Sequence, residues 1–206
     1  DRLIREILSI AIRAKVLQKK SRHAGIDGTG FESHHISSYF VKRKAKYREE
    51  YQMTTYTRYP KAGIIADSAT HLVLSGVPGR GPGPDVTHFK KAVIEALKNV
   101  SIAVLAADAG YDGERSHVFA REEYGIRTLI PPLIGRKTDK LPTGKYRRLM
   151  ATRFNRKLYG QRWQVETVHS MIKRNLGSAL RARTYWSQCR EIMLRLFTHN
   201  VMILWA

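Results

Sequence analysis

The chain has 206 residues, 43% hydrophobic and 26% charged, enough to bury one sizeable core as a single folded unit. Its 37 Lys and Arg stand against 17 Asp and Glu, and the resulting net charge of +20 suits a nucleic acid better than a neutral substrate. No apolar run reaches the ~18 residues of a membrane span, no signal peptide is visible, and the single cysteine, Cys189, excludes an internal disulfide and a cysteine-based zinc site.

Residues 2–17 read as an amphipathic helix with Leu3, Ile7, Ile10 and Leu17 on its buried side. The sequence starts at Asp1 inside this pattern, so it is expected to be a fragment lacking its N-terminal part. The link QKKSRH leads into HAGIDGTGF, a predicted strand, and Lys42 to Arg48 forms a solvated basic stretch or a phosphate contact. AGIIAD and HLVLSGV read as a hairpin turned at Asp67 to Thr70. The loop PGRGPGPD lacks the Lys-Ser/Thr ending of a phosphate loop, and Asp85 is the expected N-cap of the helix DVTHFKKAVIEALKN. SIAVLAAD is a buried strand ending at Asp108, ERSHVFAREEYG a helix closed by Gly125, and IRTLIPP a strand stopped by Pro131 and Pro132. A basic connector follows, then a helix around Glu166, then the amphipathic helix REIMLRLFTHNVMILWA. Strands alternating with helices after a hairpin predict an α/β fold, a mixed sheet flanked by helices.

Between Lys140 and Arg190 stand thirteen Lys and Arg and one carboxylate, Glu166. In LYGQRWQVETVHSMIKRN, Tyr159, Arg162 and Lys173 lie at offsets of −7, −4 and +7 from Glu166. All four fall within a stripe of roughly 60° on one helix face. Val165, Val168, Ile172 and Leu176 make the adjoining apolar face. A carboxylate on a polyanion-binding surface repels phosphate unless a cation intervenes, which points to a divalent metal and phosphodiester chemistry.

Two further acids stand out by position. Asp27 is flanked by glycines in Gly25-Ile-Asp27-Gly-Thr-Gly30, and Asp108 closes an apolar strand, where ligands of α/β sheets collect. Three converging carboxylates repel one another, and hard cations such as Mg²⁺ or Mn²⁺ relieve the repulsion. Two such ions can activate a water or a 3′-hydroxyl and stabilise the leaving oxygen. Asp27 would bridge them, with Asp108 and Glu166 each holding one. The bland alternatives are a turn residue for Asp27, a helix cap for Asp108 (or Asp112 in its place), and an exposed Arg162–Glu166 pair. His34 and His35 point opposite ways on an extended segment and are not expected to share a metal. His169, three residues after Glu166, reads as packed or solvated, with a contact to water or phosphate as the alternative. Trp163, Tyr185 and Trp186 read as packing residues and Asp67 as a turn residue.

Tyr159, Arg162, Glu166 and Lys173 resemble, in type and spacing, the Tyr-x2-Arg-x3-Glu-x6-Lys motif of bacterial and archaeal insertion-sequence transposases with a DDE triad. IDGTGF around Asp27 and ADAGYD around Asp108 resemble the two Asp-bearing regions of that family, and the likeness runs from about His23 to the C-terminus. The resemblance implies an RNase H-like catalytic domain over 21–206, with residues 1–20 the last helix of an end-recognition region. It implies that Asp27, Asp108 and Glu166 bind two Mg²⁺ (Mn²⁺ substituting), cut transposon ends and join them to target DNA. Tyr159, Arg162 and Lys173 would touch phosphates near the scissile bond. The connector cations Lys145, Arg147, Arg148, Arg153, Arg156 and Lys157 are electrostatic candidates for backbone contact. Double-stranded DNA is the expected partner, with the protein a homodimer upon it, in the nucleoid-bearing cytoplasm of a prokaryote. Some relatives insert a β-rich segment before the Glu helix for a hairpinned DNA end; only Pro132 to Arg156 stands there, so no hairpin intermediate is inferred. The rival readings are an RNase H-like nuclease that does not join strands and a basic DNA-binding derivative that has lost catalysis.

Overall fold

The computed structural model describes residues 2–33, 59–133 and 140–205. The basic stretch Lys42 to Arg48 and the pair His34 and His35 lie outside these residues.

The first helix, α1 (Arg2–Arg13), buries Ile4, Ile7, Leu8 and Ala11, and Leu3 and Ile10 face outward. The stripe 4, 7, 8, 11 is continuous at helical spacing, and this corrects the buried face expected from the sequence. The helix also ends earlier than expected: Lys15 takes a φ of 60°, and Leu17 reaches the core from the chain beyond it.

Short strand β1 (Lys20–Ser21) is followed by β2 (Ala24–Gly30), β3 (Glu32–Ser33), β4 (Tyr59–Asp67) and β5 (Val73–Gly81). The hairpin β4–β5 turns where the sequence placed it. The Asp67 carboxylate accepts from Ala69 N, Thr70 N and Thr70 Oγ1 at 3.2, 2.9 and 2.8 Å, which satisfies donors inside the turn beside the backbone bonds that close it. β5 runs on through Pro78 and Gly79, residues expected in the loop; as the sheet's edge strand it tolerates a proline.

Helix α2 (Val86–Leu97) follows, then β6 (Ser101–Ile102), which pairs with β1, and β7 (Val104–Ala107). Asp85 does not cap α2. Its backbone is already helical and its carboxylate is engaged with Lys61 instead. Helix α3 (Glu114–Val118) widens into a π turn (Phe119–Glu123) rather than continuing, and Gly125 at φ 66° leads into β8 (Arg127–Leu129). The connector folds into α4 (Lys145–Thr152) and α5 (Arg156–Tyr159). The Glu114 carboxylate closes the start of α4, accepting from Tyr146 N and Arg147 N at 2.9 and 3.0 Å. Helix α6 (Trp163–Leu176), β9 (Ala179–Leu180) and the long α7 (Tyr185–Trp205) complete the chain.

The central sheet has the order β5-β4-β2-β7-β8, antiparallel across β5, β4 and β2 and parallel across β2, β7 and β8. Missing side chains set how closely the helices approach. A Cβ on Gly25 would stand 3.1 Å from the Val165 Cβ of α6, and one on Gly63 would stand 2.7 Å from the His88 Cβ of α2. Leu196 of α7 lies over Gly76, so α6 and α7 cover one face of the sheet and α2 the other. Asn200 of α7 binds both Val73 N and Val73 O at 2.8 Å, and α1 joins the same hydrophobic core as the sheet. Trp163 and Trp186, expected to pack, are 55% and 72% exposed. No helix of the described residues is long and apolar enough to cross a membrane.

Candidate active site

Side chains alternate along β2, so Gly25, Asp27 and Thr29 share the face covered by α6. Asp27 therefore lies under the helix that carries Glu166. The parallel register matches Ile26 with Ala107, and Asp108 follows at once where β7 ends. The two acids thus stand on adjacent strands, whose spacing is about 4.8 Å. Asp108 starts a tight turn (Ala109–Tyr111) and accepts from Gly110 N at 2.9 Å.

Asp27 is mostly enclosed. Its Oδ1 accepts from Gly28 N at 2.8 Å, and its Oδ2 lies 3.9 Å from His169 Nδ1 and 4.0 Å from an Arg162 nitrogen. Burial raises its pKa to about 6, and the Asp108 and Glu166 charges push the same way against the Gly28 N–H and Arg162. Glu166, one side of its carboxylate open to solvent, pairs with Arg162 across one turn. The Arg162 guanidinium also sits 5.9 Å from the Tyr159 ring centroid. Arg162 is thus the cation shared by Glu166, Asp27 and the Tyr159 ring.

The stripe is not one helix. Tyr159 ends α5, Arg162 ends a tight turn (Gly160–Arg162), and α6 proper begins at Trp163. Lys173, two turns past Glu166, holds its ammonium 5.8 Å from the Phe31 ring. His169 is buried beside Asp27, and its pKa falls to about 4, through burial first and then the Lys173 and Arg162 charges. The imidazole is therefore neutral at physiological pH, a packed residue that nonetheless borders the acids.

The connector cations divide. Arg148, Arg153, Arg156 and Lys157 are exposed, and Lys145 is exposed with Glu122 at 3.4 Å. Arg147 is instead committed to Asp112, whose side chain is wholly buried, with nitrogen–oxygen distances of 2.7 and 2.9 Å. Asp112 also accepts from Leu133 N at 2.8 Å, so it ties the connector to the core. Phe154, Leu158 and Tyr159 pack with Ala106, Leu129 and Met150, which seats α5 beside the strand that ends at Asp108.

The donor set suits a hard cation: carboxylate oxygens from Asp27 and Asp108, with Glu166 on the helix above. Among the described residues no three such groups converge closely enough to grip one ion in this arrangement, with Glu166 drawn to Arg162. Sequence reasoning did not foresee the enclosure of His169 against Asp27 or the commitment of Arg147 to Asp112. His169's offset of three from Glu166 was the visible sign of the first; the second joins residues 35 apart and left none.

The family model of the transposase DDE domain matches residues 18–201, and no curated protein matches the chain. The five-stranded mixed sheet flanked by helices is the RNase H-like fold of that family. The chain therefore belongs to the transposase DDE domain family, and is the catalytic domain of a metal-dependent enzyme that cuts and joins DNA.

Proposed function

We propose that Asp27, Asp108 and Glu166 are the catalytic, metal-holding acids, and that they take two Mg²⁺ ions, replaceable by Mn²⁺. The observation that carries this is the adjacency of Asp27 and Asp108 beneath the Glu166 helix, with the Asp27 carboxyl pushed up to about 6. Buried, mutually repelling carboxylates gain most from a divalent partner. Ions bound there would polarise the scissile phosphate and lower the pKa of the attacking hydroxyl.

The chain's own groups do the rest. Arg162 neutralises Glu166 and Asp27 until cations and phosphate arrive, then is available to a phosphate oxygen. Tyr159 and Lys173 flank it along the DNA backbone, and the exposed Lys145, Arg148, Arg153, Arg156 and Lys157 extend the track without reading sequence. Arg147 contributes by holding α4 in place. Transposon ends and target are the double-stranded DNA substrates, bound by a homodimer in a prokaryotic cytoplasm at the nucleoid. Residues 1–20 close an end-recognition region, and 21–206 form the catalytic unit.

Supercoiled plasmid carrying transposon ends, incubated with Mg²⁺ or Mn²⁺, tests the assignment. Nicking and end joining by the wild type, absent from a folded Asp108→Ala variant, is the expected result. An Asp108→Ala variant that nicks as well as wild type would refute it.

A further inference from the structure

Gly28, next to Asp27, has a second neighbour. A Cβ at residue 28 would overlap the carboxylate of Asp85, which comes from the start of α2 on the other face of the sheet. The pairing of β7 with β2 stops at Ile26, so Asp27 and Gly28 lie beyond it, and Asp85 meets Gly28 on the face of the sheet that α2 covers. Lys61 holds the carboxylate there: its side chain is 5% exposed, its ammonium lies 2.8 Å from Asp85 Oδ1, and it donates also to Gly83 O.

The simplest reading makes Asp85 only the counter-ion of a buried lysine. Two buried groups argue for more. Tyr111, in the turn after Asp108, is fully buried and its hydroxyl has no hydrogen-bond partner among the described residues. That hydroxyl lies in the field of Asp85, Asp27 and Asp108, which together with burial raise its pKa. The Asp85 charge is also felt, more weakly than those of Lys173 and Arg162, at His169, whose Nε2 is buried without a partner among the described residues and whose Nδ1 is 3.9 Å from Asp27. Buried polar atoms without protein partners are rare and call for a water, an ion or a catalytic role beside them.

We propose that Asp85, fixed by Lys61, is a fourth acid of the cation site, a positioning residue that approaches Asp27 and Asp108 from the side opposite Glu166. The inference rests on the Asp27–Asp108–Glu166 reading. Asp85 would add negative charge on the face of the sheet that Glu166 does not cover, and the Tyr111 hydroxyl would supply a hydrogen-bond donor there. Outer groups of this kind typically change metal affinity about 10–100-fold.

The test is direct Mn²⁺ binding, by electron paramagnetic resonance or calorimetry, without DNA. It compares wild type, Asp27→Asn, Asp85→Asn, Lys61→Met and the double variant Lys61→Met/Asp85→Asn. Asp85→Asn leaves the Lys61 ammonium buried and unpaired, so it is destabilised; the double variant removes both charges and keeps the fold. Mn²⁺ binding about tenfold or more weaker in the folded double variant, and undiminished in Lys61→Met, is expected. If the double variant binds like wild type while Asp27→Asn does not bind, Asp85 is a counter-ion only and the inference fails. If Asp27→Asn itself binds like wild type, the underlying site is misplaced.

Discussion

Asp27 carries the largest chemical burden of any residue here. Its pKa stands at about 6 against an ordinary 3.8, because burial and two neighbouring acids disfavour its charge. The sign of the consequence follows by linkage. The folded protein binds the proton more tightly than the unfolded chain, so stability falls as pH rises through the window from 3.8 to about 6. Above that window the full penalty is present, about 3 kcal/mol at most from the gap between the two values. In metal-free protein, Asp27→Asn is therefore expected to raise the thermal midpoint at pH 7.5 and to lose that advantage near pH 4. A variant less stable than wild type at pH 7.5 would show that the carboxylate is not penalised. The proposed metal-holding role predicts the opposite for activity: Asp27→Asn should forfeit several kcal/mol of transition-state stabilisation, a fall of about a thousandfold.

Among the elements, α4 and α6 show how helices are placed by contacts remote in sequence. The sequence disclosed α6, because Val165, Val168 and Ile172 recur at helical spacing and are all buried. It did not disclose that the motif breaks into α5, a tight turn and α6, since Tyr159 and Arg162 keep nearly the same angular offsets through the break. Nor did it disclose the role of Arg147. A basic run looks like a solvated face, and only the fold brings Asp112 to it. Arg147→Met is predicted to destabilise the protein by about 3 kcal/mol in chemical denaturation, because it strands a wholly buried carboxylate. Arg148→Met, on an exposed position of the same helix, is predicted to change stability by less than ~0.5 kcal/mol. Equal effects would show that Arg147 is an ordinary surface cation. On β2, Gly25→Ala would press on Val165 at 3.1 Å and lift α6 by tenths of an ångström. Strand-joining activity should fall by more than tenfold while the fold persists, since misplaced catalytic groups react poorly. Unchanged turnover in Gly25→Ala would mean that the α6–β2 distance is not critical.

For the molecule as a whole, the order of strands and helices was readable because apolar periodicity switches cleanly between two and 3.6 residues. The three acids proposed for the site stand out in the sequence as isolated exceptions: one in a glycine run, one at a strand end, one in a basic field. Asp85 was not, because its carboxylate meets β2 only through the packing of α2 across the sheet. The net charge of +20 makes DNA affinity a salt-dependent quantity. Replacing the exposed Arg148, Arg153, Arg156 and Lys157 by Gln should weaken binding uniformly across sequences. It should also lower the slope of log affinity against log salt by about 3 to 4. An unchanged slope would remove the connector from the DNA track.

The central claim is that these three acids hold the cations that cut DNA. Anomalous diffraction from Mn²⁺-soaked crystals of the protein bound to a cleaved transposon end tests it most directly. Manganese peaks between Asp27 and Asp108 and beside Glu166, with Glu166 turned away from Arg162, are expected. Manganese bound elsewhere, with Glu166 still paired to Arg162, would contradict it.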